Sequence, residues 1–150
     1  MDIHVRRISA EDAPLVAHMV AGLLAELDPG FEPNITTLTG VTRQVLSLQA
    51  TSGVLAIDGA EPVGVLMLNE CAAIYAGGRF GEITELYVRA DLRSQGLAGQ
   101  LMEEARAIAR ERGWKRLEVG APGQPKWERT KSFYERQGFT EVGPRMRLLV

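Results

Sequence analysis

The sequence predicts an α/β (α+β) fold in three layers, with helices on both faces of a central, mixed and mostly antiparallel sheet. The run VGVLML, residues 63–68, is apolar throughout, which is typical of a strand that is buried on both faces. A segment with helical spacing connects the strand-like segments 83–88 and 117–119, and such a unit is nearly always right-handed with parallel strands. A tight Asp58-Gly59 turn joins the second and third strands, and we expect strands two to four to form an antiparallel meander.

The N-terminal third predicts one strand and two helices. Apolar and polar residues alternate over residues 3–8, as in a strand with one buried face. Ser9, with Asp12 three residues later, predicts the N-cap of a helix whose apolar series ends before a DPG turn. Residues 31–38 predict a loop, and the apolar residues that follow predict a second helix over about residues 41–50.

The middle of the chain predicts a meander followed by a long helix. The apolar runs 53–57 and 62–68 flank Asp58-Gly59, a dipeptide that favours a tight hairpin turn. The next strand, residues 83–88, should complete an antiparallel meander. Helical spacing then extends over about residues 95–112 and ends at a glycine.

The C-terminal part predicts a short strand, a loop, a fourth helix and two final strands. Leu117 and Val119 mark the short strand, and the loop GAPGQPKW follows it. The helix passes through residues 132–136, and residues 139–142 and 145–150 predict the last two strands. The sheet would then contain about 6–7 strands, with about four helices around it.

Composition excludes several classes of function. A chain of 150 residues with a net charge of −2 lacks the broad basic surface that nucleic acid requires. No apolar run approaches the roughly 18 residues of a membrane span, so we expect no membrane partner. Cys71 is the only cysteine, and His4 and His18 have no partners at metal-ligand spacing, so we expect neither a disulfide nor a metal. The N-terminal residues lack the apolar core of a signal peptide, which favours a cytoplasmic location.

The stretch from Glu82 to Gln100 combines a strand, a polar turn and the start of a helix, an order of elements that can hold phosphate. The first N–H groups of a helix have no intrahelical acceptor and carry the positive end of the helix dipole. The small residues Gly96, Ala98 and Gly99 would let an anion approach closely, and Arg93 could add a charge-assisted hydrogen bond. Similar turns often bind nothing, so this stretch alone leaves both interpretations open.

A second motif completes a resemblance to the GNAT superfamily of acyl-CoA-dependent N-acyltransferases. In that family a strand leads into a turn of pattern Arg/Gln-x-x-Gly-x-Gly/Ala, which RSQGLA, residues 93–98, fits. A later helix carries an FYE…GF line, and FYERQGF, residues 133–139, contains each of those letters. The resemblance implies one GNAT domain over residues 1–150, with the sheet splayed between strands four and five.

The resemblance also implies acetyl-CoA as the co-substrate. Its pantetheine arm would run along the fourth strand, beside Leu86, Tyr87 and Val88. The N–H of Leu86 would face the thioester oxygen and stabilise the oxyanion. The pyrophosphate would lie against backbone N–H groups, with Arg93 beside it; those groups belong to Ser94, Gln95, Gly96, Leu97, Ala98 and Gly99.

Catalysis requires a base, because a protonated amine has no lone pair for attack. The resemblance places Glu82 at the position of the family's glutamate base, with Glu85 as the rival and water as a third possibility. Strict alternation would put Glu82 on the face of Leu86 and Glu85 on the other face, unless a bulge intervenes. Tyr134 matches the family tyrosine that protonates the departing CoA thiolate.

The chain departs from the family pattern just before the FYE line. Trp127 stands where many members have an asparagine that contacts the CoA arm. Arg129 or Thr130 could take over that contact, or the basic residues could bind the adenosine 3′-phosphate or simply be solvated. Phe133 is assigned to the core and is also counted among the residues beside the cofactor.

The predicted function is transfer of an acetyl group from acetyl-CoA to a primary amine by direct attack. Glu26, Asp28 and Glu32 give the expected acceptor loop a negative bias, which would suit a cationic small molecule. A protein N-terminal or lysine acetyltransferase and a non-catalytic acyl-CoA sensor are the alternatives. A homodimer is possible, and the sequence does not decide it.

Overall fold

The computed structural model describes residues 2–120 and 128–150. Within these ranges, five strands form one sheet in the order β1-β2-β3-β4-β5. The strands are β1 (Ile3–Arg7), β2 (Thr51–Asp58), β3 (Glu61–Ala73), β4 (Gly78–Val88) and β5 (Leu117–Val119). The helices are α1 (Ala13–Leu27), α2 (Ile35–Leu46), α3 (Leu97–Arg112) and α4 (Glu128–Arg136). Neighbouring strands are antiparallel from β1 to β4, and β5 runs parallel to β4, which confirms the predicted mixed sheet.

Strand β3 shows why the chain folds in three layers. Its alternate side chains pack on opposite faces of the sheet: Leu66 and Leu68 lie in an apolar cluster with Leu101 of α3. Val65 and Met67 lie in a second cluster, together with apolar residues of α1. Strand β3 is therefore buried on both faces of the sheet, as its uninterrupted apolar run predicted.

The entry to α1 follows its predicted capping signal. One turn of 3₁₀ helix, residues Ala10–Asp12, precedes α1, and the reciprocal Ser9–Asp12 capping box is present. The Asp12 carboxylate also accepts hydrogen bonds from both terminal nitrogens of Arg6, at 2.8 and 2.9 Å. The Arg6 guanidinium and the Ser9 N–H lower the pKa of Asp12 to about 2.

Helix α2 begins earlier than its apolar spacing indicated. The predicted loop over residues 31–38 is wrong for its second half, because Ile35 already belongs to the helix. Asn34 is the N-cap, and its side-chain oxygen accepts the backbone N–H of Thr37 at 3.0 Å. Leu38, which falls within the predicted loop, packs in the apolar cluster that includes residues of α1.

The C-terminal segment differs most from the prediction. Residues 139–150 contain no strand, so the described sheet has five strands and lacks the two predicted over 139–142 and 145–150. Apolar alternation predicted them, but a strand also needs a neighbouring edge for its backbone groups. Strand β5, only three residues long, offers little edge for pairing. Apolar side chains of this segment are accordingly exposed, among them those of Val142, Met146, Leu148 and Leu149.

Candidate active site

A β-bulge in β4 sets the direction of the candidate catalytic carboxylates. In the pairing of β3 with β4, Met67 lies opposite Glu85 and Leu68 lies opposite Ile83. Thr84 is thus an extra residue without a partner on β3. An extra residue shifts the side-chain alternation by one position at this point of the strand.

The bulge brings Glu82 and Glu85 to the same face of the sheet. Ile83 and Leu86, on either side of the bulge, both pack in the apolar cluster on the α3 face. Tyr87 packs in the cluster on the α1 face. Since neighbouring residues in a strand point to opposite faces, Glu82 and Glu85 both lie on the α1 face. The strict alternation considered from the sequence therefore does not hold.

The two carboxylates differ in their surroundings. Glu82 accepts a hydrogen bond from the guanidinium of Arg145, and its second oxygen lies 3.9 Å from Sγ of Cys71. Glu85 accepts a hydrogen bond from the hydroxyl of its neighbour Thr84 at 2.5 Å. Burial and the nearby Glu82 charge raise the pKa of Cys71, so that its thiol stays protonated near neutral pH. Cys71 is therefore a poor candidate for a nucleophile.

The outer edge of β4 is open beyond the bulge. The N–H of Arg89 donates to the carbonyl of Val63, next to β3, at 2.9 Å. Since alternate N–H groups of a strand point in the same direction, those of Leu86 and Val88 point to the opposite edge. On that edge β5 pairs only with residues 81–83 of β4, and among the described residues no strand pairs with β4 beyond Ile83. This short pairing agrees with the splay between strands four and five that the GNAT resemblance implies.

A row of backbone donors, which we call the donor turn (residues 94–99), follows the end of β4 in the chain and includes the first residues of α3. Gly96 is the N-cap of α3 with φ 83°, and Ser94 has φ 65°, a left-handed conformation that is uncommon outside glycine. Among the described residues, no protein acceptor receives a hydrogen bond from any backbone N–H of the donor turn. Such a row of unpaired N–H groups at a helix N-terminus favours an anion.

Arg93 does not stand free beside the donor turn. Its terminal nitrogens donate to both carboxylate oxygens of Glu26 in α1, at 2.8 and 2.6 Å. Its Nε donates to the carbonyl of Val88 at 2.9 Å. The sequence offered no signal for this pairing, since the two residues lie 67 positions apart.

Tyr134 is buried on α4, with only 6% of its surface exposed. Its ring packs between those of Phe133 and Phe139, at centroid distances of 5.5 and 5.4 Å. Burial raises the pKa of its hydroxyl to about 12. Tyr134 lines an open groove of about 1290 Å³ between α3, β5 and the C-terminal segment.

The groove contains only part of the predicted site. Glu82 and Arg145 line it together with Tyr134, whereas Glu85, Leu86 and the donor turn do not. Arg129 is exposed and Thr130 is half-buried in the first turn of α4. Lys126 and Trp127, the latter at the family's asparagine position, lie outside the described residues.

Two further features of the described residues bear on the class of protein. Over residues 2–120 and 128–150, no group of three or more histidine, cysteine, aspartate or glutamate side chains is placed to hold a metal ion. In the same ranges, every helix is too short or too polar to cross a membrane.

Comparison with known proteins agrees with this geometry. A family model described as the acetyltransferase (GNAT) domain matches residues 50–141. Comparison with curated protein sequences finds no match.

Solved structures with the same fold include a ribosomal-protein-alanine N-acetyltransferase from Brucella melitensis biovar Abortus 2308. The two are 21% identical over 100% of both chains, with a TM-score of 0.79. An aminoglycoside acetyltransferase from an uncultured soil metagenomic sample is also 21% identical, with a TM-score of 0.79, over 100% of this chain and 99% of that one. A possible acetyltransferase from Clostridium difficile 630 is 18% identical, with a TM-score of 0.80, over 99% of this chain and 97% of that one.

At these identities the structural likeness shows the fold alone. The family match covers more than half of the chain and includes β4, the donor turn and Tyr134. The chain therefore belongs to the GNAT family of acetyltransferases and is an acyltransferase enzyme.

Proposed function

We propose that this acyltransferase transfers the acetyl group of acetyl-CoA to a primary amine of a small molecule by direct attack. The observation that carries the proposal is the donor turn, whose N–H groups lack acceptors in the described part of the chain and which follows the end of β4. The GNAT family to which the chain belongs uses acetyl-CoA as co-substrate. An anion site followed by an open strand edge suits a ligand with a pyrophosphate and an amide-bearing arm.

In this proposal the cofactor binds along β4. The pyrophosphate accepts hydrogen bonds from the donor turn, and the pantetheine arm pairs with Leu86 and Val88 as an added strand does. The N–H of Leu86 donates to the thioester oxygen as negative charge develops there, an effect worth about 3 kcal/mol where single donors of this kind are removed. Arg129, Thr130 and Phe133, on α4, are proposed to contact the arm from the side opposite β4.

We propose that Glu85 is the general base that accepts the proton of the acceptor amine. An alkylamine has a pKa near 10, about that of a lysine side chain, so most of it is protonated at neutral pH. Glu85 and Glu82 both lie on the α1 face, but the Glu82 carboxylate is already engaged by Arg145. Glu85 receives a hydrogen bond only from Thr84 among the described residues. It takes the proton directly or through one water molecule.

The transfer then proceeds without an acyl-enzyme. The amine nitrogen forms a bond to the thioester carbon and releases its second proton to solvent, the carbon–sulfur bond breaks, and the thiolate leaves with the electron pair. Tyr134 donates its hydroxyl proton to that thiolate and regains one from solvent. Since burial raises its pKa to about 12, the hydroxyl remains protonated at neutral pH and is ready to donate.

The acceptor is proposed to be a cationic amine. Glu85 gives the α1 face of β4 a negative charge without a cationic partner among the described residues, whereas the charges of Glu26 and Glu82 are balanced by Arg93 and Arg145. Structures with the same fold include enzymes for an aminoglycoside and for a ribosomal-protein alanine, so both amine classes belong in the test.

Two measurements test the proposal. Calorimetry with the purified protein should detect binding of acetyl-CoA and of CoA, and an assay of thiol release should find turnover with at least one small cationic amine. If neither acetyl-CoA nor CoA binds, the proposal that acetyl-CoA is the co-substrate is wrong. Turnover with peptides alone would favour a protein acetyltransferase, and binding without turnover on any amine would favour a sensor.

A further inference from the structure

The contact between Arg93 and Glu26 joins α1 to the start of the donor turn. Both terminal nitrogens of Arg93 donate to the Glu26 carboxylate, in the two-pronged geometry that is strongest for this pair. Nε of Arg93 donates to the carbonyl of Val88, at the end of the open edge of β4. The guanidinium is thus held by the strand on one side and by α1 on the other.

The Tyr87 ring contacts both the Arg93 guanidinium and α1. The carbon of the Arg93 guanidinium lies 5.4 Å from the centre of the Tyr87 ring, within range of a cation–π contact. A Cβ atom at Gly22 would lie 2.9 Å from atoms of the same ring, so α1 passes directly against it. Gly22 and Glu26 are four residues apart and share one face of α1. The helix therefore places the Glu26 carboxylate over the ring, where Arg93 lies.

The pairing changes the charge next to the donor turn. Arg93 immediately precedes Ser94, and it would be the natural cation for a phosphate bound by the donor turn. In the structure a carboxylate accepts hydrogen bonds from both terminal nitrogens of Arg93. Two oxygens of a phosphate group can accept the same pair of hydrogen bonds. A phosphate that uses these nitrogens has to displace Glu26 or share Arg93 with it.

We propose that Glu26 is an internal competitor for Arg93, which occupies the guanidinium when the cofactor is absent and yields it to the cofactor's pyrophosphate. The inference rests on the proposed use of acetyl-CoA. Glu26 is a positioning residue here, because it acts on the ligand through Arg93. Displacement of Glu26 breaks the ion pair that joins the last turn of α1 to Arg93, so cofactor binding is coupled to the start of the connection between α1 and α2.

The proposal predicts an effect opposite to that of a residue that merely builds the site. Glu26→Gln keeps the size of the side chain and removes the competing charge. CoA should therefore bind about fivefold more tightly to this variant than to the wild type, the factor expected for loss of one partly exposed ion pair. Glu32→Gln is the matched control, because it removes the same charge from an exposed position nearby. Glu32 is exposed in the connection between α1 and α2. Its variant should change the Kd for CoA by less than about twofold.

A double-mutant cycle separates competition from general electrostatics. Arg93→Gln should weaken CoA binding, and in that background Glu26→Gln should have no further effect, since the shared group is absent. Calorimetric titration of CoA into the four proteins measures the cycle, and thermal denaturation verifies that each is folded.

The possible outcomes are distinguishable. A Kd that is unchanged or higher in Glu26→Gln would overturn the inference, as would an equal effect of Glu32→Gln or an undiminished effect in the Arg93→Gln background. If the wild-type protein bound no CoA, the proposed cofactor would fail first and the role of Glu26 with it. Tighter binding that depends on Arg93 would establish the competition.

Discussion

Glu82 and Glu85 lie on the same face of β4, although residues three positions apart in a regular strand point to opposite faces. The extra residue at Thr84 produces this relationship. The consequence is that two carboxylates face α1 together, while Leu86 keeps its side chain in the core and its N–H on the open edge. A base and an oxyanion donor can therefore come from neighbouring residues.

Glu85→Gln should lower kcat by about a hundredfold, because loss of a general base removes a contribution of this order. Glu82→Gln should lower it by less than about tenfold, since Arg145 already engages that carboxylate. The measurement is kcat as a function of pH for both variants with one amine. The reverse ranking would assign the base to Glu82, and two unchanged rates would leave water as the proton acceptor.

Tyr134→Phe should lower kcat by roughly tenfold to a hundredfold without changing the affinity for CoA. A thiolate with a pKa near 8.5 leaves slowly but measurably without a proton donor, so activity should not vanish. Since burial raises the pKa of Tyr134 to about 12, its hydroxyl stays protonated well above its ordinary value of 10.0. The wild-type rate should therefore show no alkaline decrease from this group below about pH 11. If Tyr134→Phe had the same kcat as the wild type, Tyr134 would have no role in proton transfer.

The same pKa shift has a consequence for stability. A tyrosine whose folded-state pKa is raised stabilises the protein fully below its unfolded pKa, and the contribution declines as the pH rises through the folded value. Tyr134 should therefore add alkaline sensitivity between about pH 10 and pH 12, which Tyr134→Phe should remove. Thermal denaturation at several alkaline pH values would detect the difference.

Gly96→Ala should weaken CoA binding, whereas Gly59→Ala should not. Both glycines have positive φ, 83° and 63°, and neither would bring a Cβ atom within 4 Å of another group. Each substitution should thus cost about 1 kcal/mol of stability through backbone strain alone. Gly96 lies in the donor turn, so relaxation of that strain moves the N–H groups that would bind the pyrophosphate. Equal CoA affinity of the two variants would contradict the assigned role of the donor turn.

Gly22→Ala and Gly40→Ala should have opposite effects on stability. Both glycines lie in helices, and nothing lies within 4 Å of a Cβ atom at Gly40, so alanine there should stabilise α2 by up to about 1 kcal/mol. At Gly22 the new methyl would meet the Tyr87 ring at 2.9 Å, and the displacement should cost about 1–3 kcal/mol. Chemical denaturation of both variants measures the contrast. Stabilisation by both would show that α1 and β4 do not pack as closely as described.

Local residue patterns were sufficient for most of the fold. The apolar run in β3 indicated burial on two faces, and the strand–helix–strand order indicated that β5 is parallel to β4. Both inferences depend on neighbouring residues and on chain handedness, which a sequence expresses directly. The prediction of two C-terminal strands was wrong, because apolar alternation does not show whether a strand edge is available for pairing.

The candidate site also has features that the sequence predicts and features that depend on the folded structure. Its motifs, the RSQGLA turn and the FYERQGF line, are contiguous in sequence, and they pointed to the family without any knowledge of packing. The bulge at Thr84 arises from the register between two strands, and the pairs Arg93–Glu26 and Arg145–Glu82 join residues 67 and 63 positions apart. Which carboxylate is free, and which cation is already paired, therefore depends on contacts that exist only once the chain has folded.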